Sequence, residues 1–453
     1  MWFPWLLSGS LVFLGSPTLE EQLSPQKFER VVIDSDFPGG YQVEVADVNG
    51  DKKQDIVALG GSTLAWYENP TWKKRVVSTS KETPDIISSA TADLDGDGKA
   101  EIAIAYDFSM NEPRRGKLLL AVQGATVDDP WTFKPVVEPR RETGGGFAGG
   151  GIGGASTGAV GYVINPFTKK DETSRAEPSP ALPPGSWPSI HRLRWGYYPA
   201  PIVGPGSVKF EKQLNLIVAP LFGPSAKPPV FDQEAPSLFA LKIDPKSGQC
   251  SKSIFQGAPV LHSIEVLNLD DNGFATILAA SNQGVTITQL QPMSGVVFGP
   301  SYITTNLVSG APGNAPKKGS SEVHLGRLKD GRKFLATVEP WHGTDVVIYN
   351  SESLKPLKFG PRNVIDTTLK EGHALWVADV DGDGDDEVFA GYRGGEGGVL
   401  MFDFDGKTWN RTVLDPGVTA QDLRGGDIDG DGTPDIVAIG GKSHNIVWYR
   451  PMK

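Results

Sequence analysis

An acidic tract recurs along this chain, and it leaves few folds open. Ala46-Asp47-Val48-Asn49-Gly50-Asp51 is followed by Asp55-Ile56-Val57-Ala58. The same order returns as Ala92-Asp93-Leu94-Asp95-Gly96-Asp97-Gly98 with Glu101-Ile102-Ala103-Ile104. It returns again as Ala378-Asp379-Val380-Asp381-Gly382-Asp383-Gly384 with Glu387-Val388-Phe389-Ala390, and last as Gly426-Asp427-Ile428-Asp429-Gly430-Asp431-Gly432 with Asp435-Ile436-Val437-Ala438. Each apolar run is short and bounded by turn residues, which reads as a strand buried on both faces. A third strand ending in aromatics follows, such as Leu64-Ala65-Trp66-Tyr67 or Ile446-Val447-Trp448-Tyr449. Several copies add a fourth, such as Lys74-Arg75-Val76-Val77 or Arg411-Thr412-Val413-Leu414.

Three eroded copies lie between these. They contain His191-Arg192-Leu193-Arg194-Trp195 with Leu214–Ala219, His262–Gly273, and Val323–Leu328 with Phe334–Val338. Seven units of about four strands predict an all-β, seven-bladed β-propeller over residues 28–453. The 55 glycines and 36 prolines suit many strands joined by tight turns, and no stretch has a helical period. The last unit runs out after three strands, whereas Phe28-Glu29-Arg30-Val31-Val32-Ile33 stands alone before the first. That N-terminal strand is expected to complete the last blade and leave no open edge there.

Oxygen donors at positions 1, 3, 5 and 9 of a Gly-bearing loop suit a hard cation such as calcium. The sets are Asp47/Asn49/Asp51/Asp55, Asp93/Asp95/Asp97/Glu101, Asp379/Asp381/Asp383/Glu387 and Asp427/Asp429/Asp431/Asp435. Their expected role is structural, tying the end of one strand to the start of the next. The net charge of -11 argues against nucleic acid and anionic lipid as partners. Cys250 is the only cysteine, so no internal disulfide forms.

Six residues before the first loop position stands His373 in the sixth unit, His262 in the fourth and His191 in the third, where Tyr197 replaces the loop Asp. Tyr41, Ile87, Gln421 and Ser321 align with them. In a propeller this position opens the innermost strand, so the imidazoles are expected to converge at the channel mouth. The turn between second and third strands lies on the same face. There the fifth unit carries Glu339-Pro340-Trp341-His342-Gly343 and the sixth Gly391-Tyr392-Arg393-Gly394. Three histidines with an open position make a catalytic zinc set; the plain alternative is ordinary hydrogen bonding at a channel rim. His324 and His444 are expected to be structural.

Residues 1–17 are apolar and uncharged, and read as a secretory h-region without its positive flank, too short to span a membrane. A secreted or periplasmic location follows as the expectation. The Gly/Pro-rich insertion 141–190 leads into His191, and segments 222–236 and 307–320 join it on the histidine side. The first of these is either a lid or an insertion without a role.

The acidic loops resemble FG-GAP repeats, which integrin-type propellers and some polysaccharide lyases share. Tracts His191–Trp195, Ser321-Glu322-Val323, Glu339–Gly343 and Gly372-His373-Ala374-Leu375-Trp376-Val377-Ala378-Asp379 are more specific. They resemble the propeller domain of fungal aldos-2-ulose dehydratase and its propeller-only bacterial relatives. That resemblance implies a carbon–oxygen lyase with zinc at the bottom of a cleft, dehydrating a small keto sugar such as 1,5-anhydrofructose or glucosone. His191, His262 and either His373 or His342 are then expected as zinc ligands. Glu339 or an unligated histidine would be the base, with Tyr392 and Arg393 holding the sugar or its leaving oxygen. Other functions fit the scaffold: a non-catalytic propeller binding glycans or proteins, or a polysaccharide lyase acting on a uronate. The residues Arg192, Arg194, Arg393 and Arg424 bear on the last.

Overall fold

The computed structural model describes residues 27–139, 185–204, 207–269, 273–292 and 300–452. Segment 1–17 and most of 141–190 therefore lie outside the described residues. The rest forms seven antiparallel sheets, all but one of four strands in simple up-and-down order. The first blade shows the rule: Gly40–Ala46, Asp55–Gly60, Thr63–Glu68 and Lys73–Ser78 pair in sequence. Its second strand, Asp-Ile-Val-Ala-Leu-Gly, is buried at every residue because neighbouring blades cover both of its faces. Its fourth strand lies at the rim, where Val76 is half exposed.

The first strands of successive blades meet around the axis, and Gly40–Ala46 touches both Ser88–Ala92 and Ala420–Gly426. The ring is thus a seven-bladed propeller, closed by the N-terminal strand. Phe28–Asp34 pairs antiparallel with Ile446–Pro451, Phe28 opposite Pro451 and Val32 opposite Val447, as the outer strand of the last blade. Arg30 Nε binds Asp415 at 2.6 Å across this closure. Val43, Ile56, Ala58 and Tyr67 of the first blade pack with Val437, Ile439, Ile446 and Trp448 of the last. Full burial of such a side chain contributes roughly 1.5–3 kcal/mol, so the seam is held as firmly as any other interblade core.

Two blades depart from the pattern for local reasons. In the third, no acidic loop turns the chain at Tyr197, so strand Ile190–Gly204 continues outward against Ser207–Pro220 to a last pair at Gly204 and Ser207. In the fifth, the outer position is divided. Leu357–Phe359 and Asn363–Asp366 pair with opposite halves of Asp345–Leu354. Among the described residues no helix is long and apolar enough to cross a membrane.

Candidate metal centre

The residue that opens each first strand is set apart by backbone geometry. The pairing register shifts between Gly40 and Gln42, Ile190 and Arg192, Gly372 and Ala374, and Ala420 and Asp422. Tyr41, His191, His373 and Gln421 are therefore bulged out of their ladders, and a bulge re-aims a side chain out of the pleat. Each imidazole then uses Nδ1 on the equivalent residue of the following blade. His191 Nδ1 lies 2.7 Å from His262 O, His262 Nδ1 3.1 Å from Ser321 O, and His373 Nδ1 2.7 Å from Gln421 O. A carbonyl only accepts, so each Nδ1 carries the proton and each Nε2 presents a bare lone pair.

His342 arrives from the other direction, on the turn after strand Lys333–Glu339. Its backbone is left-handed, with φ of 49°, a conformation a non-glycine residue holds only under surrounding constraint. Gly343 supplies part of that constraint, because a Cβ there would sit 2.2 Å from Glu339 O. His342 Nε2 stands 3.1 Å from His262 Nε2, and its Nδ1 accepts from an Arg393 N–H at 3.2 Å. One donor atom from each of His262, His342 and His373 lies within 4.8 Å of the others. Two nitrogens held 2.0–2.1 Å from a tetrahedral ion are about 3.3 Å apart, so the spacing suits a cation. His373 Nε2 is buried with no hydrogen-bond partner, as expected of a ligand atom aimed at a coordination point. Burial holds all three imidazoles far below the ordinary histidine range. Arg192 adds to this at His262, as do His262 and Arg393 at His342, and His342 and Arg393 at His373.

His191 is near but does not join the three. Its ring centroid is 4.6 Å from that of His262. Its Nε2, however, accepts from the Tyr41 hydroxyl at 2.8 Å while Nδ1 is spent on His262 O. The expected ligand His191 is instead the partner of Tyr41, whose ring centroid lies 5.4 Å from that of His373. Burial lowers the His191 pKa and raises that of Tyr41.

Two expected catalytic residues are corrected. Glu339 is fully buried and saturated: Oε1 accepts from Ser320, Thr337 and Tyr349 at 2.8–3.1 Å, and Oε2 from Arg362 at 2.7 Å. It fastens the turn that carries His342, with both carboxylate oxygens already engaged by protein donors. Tyr392 packs in the core between the fifth and sixth blades and lies over Gly398, so it does not reach the channel. Arg393, its neighbour, does face the imidazoles. His324 Nδ1 is 3.0 Å from Glu265 Oε1, and His444 lies at the surface with its carbonyl accepting from Phe37 N.

Sequence reasoning gave no role to Glu322. It is buried, with Oε1 2.8 Å from His262 Nδ1 and 3.7 Å from Arg192 Nη2. Further along the channel, Arg192 and Arg194 face Glu322, Asp422 and Glu44, carboxyls whose pKa values are raised first by burial, that of Asp422 to about 6.

On the opposite face the acidic loops form three further clusters: Asp93/Asp95/Glu101, Asp379/Asp381/Glu387 and Asp427/Asp429/Asp435. Positions 1, 3 and 9 converge; the fifth-position carboxylate stays outside each set and, like the others, accepts from the backbone: Lys99 N donates to Asp97, Asp385 N to Asp383, Thr433 N to Asp431. In the first loop Asp51 likewise receives Lys53 N. There Asn49 places a neutral amide at position 3 between Asp47 and Asp55, so that loop lacks a three-carboxylate set. Burial and the neighbouring carboxylates push Glu387 up to about 9, Glu101 and Asp55 to about 7 and Asp435 to about 6. Glu387 Oε1 is buried without a hydrogen-bond partner. A bound cation would relieve both conditions.

Residues 30–104 and 379–438 match the FG-GAP-like repeat family, so the chain carries repeats of that kind at both ends of the ring. No curated protein matches the chain. Among solved structures it is similar to a candidate 6-phosphogluconolactonase from Bacteroides fragilis, at 12% identity and a TM-score of 0.44, over 89% of this chain and 88% of that one. It is similar also to an Agrocybe aegerita lectin that recognises non-reducing terminal N-acetylglucosamine, at 14% identity and a TM-score of 0.46, over 91% and 86%. Likeness at these levels carries no functional argument.

Proposed function

We propose that the protein is a metal-dependent carbon–oxygen lyase that eliminates water or an alkoxide from a keto sugar. Supporting it most directly is the convergence of His262, His342 and His373, drawn from three consecutive blades. Neutral imidazole nitrogens suit zinc, whereas the all-oxygen loops suit calcium, assigned here a structural role. Zinc bound there would act as a Lewis acid toward a carbonyl oxygen, easing loss of the neighbouring C–H proton.

The chain's own residues supply the rest. Tyr41 and His191 form a proton-holding pair beside His373, in the role that Glu339 is too fully bonded to fill. Phe108, 6.0 Å from His191, and Trp341, 4.9 Å from His342, wall the site with apolar rings that exclude water. Arg393 stands where it can hold a sugar oxygen. The test is to measure metal content of the purified protein and then turnover of 1,5-anhydrofructose. Zinc present at one per chain with product formed supports the proposal. Zinc absent, or zinc present with no turnover of any keto sugar, favours a binding propeller.

A further inference from the structure

The charges around the three imidazoles divide into two layers. Deeper in the channel, Arg192 and Arg194 are offset by Glu44, Glu322 and Asp422. On the outer side Arg393 and Lys317 face the imidazoles with one carboxylate, Glu371, whose side chain is 63% exposed. Lys317 Nζ donates to Trp341 O at 2.8 Å, next to His342. This outer layer is cationic in a chain whose net charge is -11.

Arg393 is held there loosely. Its contacts to His342 Nδ1, Gln421 Oε1 and Glu371 Oε2 are all 3.2 Å, long for charge-assisted bonds. The first of them depends on tautomer. An Arg N–H only donates, so His342 Nδ1 is bare and its proton sits on Nε2, pointing at the bare Nε2 of His262. A cation drawn to His342 Nε2 needs that lone pair. An imidazole holding a cation at Nε2 would carry its proton on Nδ1 instead, with no net proton exchanged. Arg393 would then face an N–H where it now has an acceptor, and would be released to another partner. One Arg393 N–H and the His342 Nδ1–H would then both want an acceptor on the outer side, where the Lys317 ammonium adds a third positive donor.

From this we infer that the ligand of the site carries a carboxylate, received jointly by Arg393, Lys317 and His342 Nδ1–H once the three imidazoles hold a cation. The inference rests on the proposed metal site and narrows the keto sugar to one that also bears a carboxylate. A carboxylate offers two charged acceptor oxygens to the three donors, whereas a hydroxyl offers one uncharged oxygen.

The experiment is calorimetric titration of zinc-loaded and zinc-free protein with D-glucuronate and with D-glucose, together with zinc content. Expected is glucuronate binding about tenfold tighter than glucose or more, from hydrogen bonds between charged groups, only when zinc is bound. Arg393→Met and Lys317→Met should each remove most of that preference while zinc content stays at the wild-type level. Equal affinities for the two sugars in zinc-loaded protein overturn the inference and leave the metal site standing. The inference fails in the same way if both variants keep the preference, or if zinc-free protein shows it in full. Failure of the wild type to bind zinc overturns the metal site and the inference together.

Discussion

His262 and His342 face each other Nε2 to Nε2 at 3.1 Å across eighty residues of chain, one from a first strand and the other from a turn. Neither segment alone could form the pair. His262→Ala should therefore lower zinc affinity by more than the roughly 10–100-fold that loss of an outer partner costs. Circular dichroism and the calcium loops should be unchanged. Retention of stoichiometric zinc by the variant, measured by elemental analysis, would show that the three imidazoles do not act as one set.

The turn that carries His342 gives a second test at a residue with no side chain. Gly343→Ala places a methyl group 2.2 Å from Glu339 O, so the backbone must shift and take His342 with it. Expected are a stability loss of about 1–3 kcal/mol and zinc binding weakened as in the His262 variant. Normal zinc content in a stable Gly343→Ala protein would sink this account.

Calcium at the acidic loops should stabilise the fold by mass action, about 2.7 kcal/mol per site at a free concentration one hundred times the dissociation constant. Chelation should lower the melting temperature. Asp381→Ala should lower the calcium-loaded melting temperature and leave zinc bound. A melting temperature indifferent to both calcium and chelator would exclude the structural role.

The size of that calcium effect should depend on pH with a defined sign. Glu387 is raised to about 9 from an ordinary 4.5, and Glu101 to about 7. Without a cation, the folded protein therefore holds these protons more tightly than the unfolded chain does. Their contribution to stability is full below about 4.5 and is lost as pH rises toward 9. Calcium must displace the same protons, so its affinity increases over that window. Melting temperatures at pH 5, 7 and 9 should show a calcium-induced increment that grows at each step; an increment that shrinks would contradict the assignment of Glu387 as a ligand.

The propeller could be read in the sequence because its signals are local and repeated: an acidic loop, a short apolar run and an aromatic strand. The histidine position was legible for a related reason. A fixed offset from the loop marks the bulge that turns Tyr41, His191, His373 and Gln421 out of their ladders. Partners brought together by folding, within a blade or between blades, were not legible. Thr337, Tyr349 and Arg362 consume Glu339, and only Thr337 lies within two residues of it. The shared offset made His191 look equivalent to His262, yet a hydroxyl from the first blade, 150 residues away, takes its Nε2. Glu322 stood in the Ser321–Val323 tract without a role, and its place against His262 comes from the blade geometry.

Phe28–Asp34 is the first described strand the ribosome would make and the last to find its partner. Ile446–Pro451 must leave the ribosome before the two can pair. Until then the ring stays open along one seam, with Val43, Ile56, Val437 and Ile439 of the terminal blades lacking their shared core. Blades four to six, which bring the three imidazoles, are complete before that moment. The seam therefore makes late synthesis the step most exposed to aggregation, and shortening the C-terminal blade should harm yield more than loss of either kind of metal.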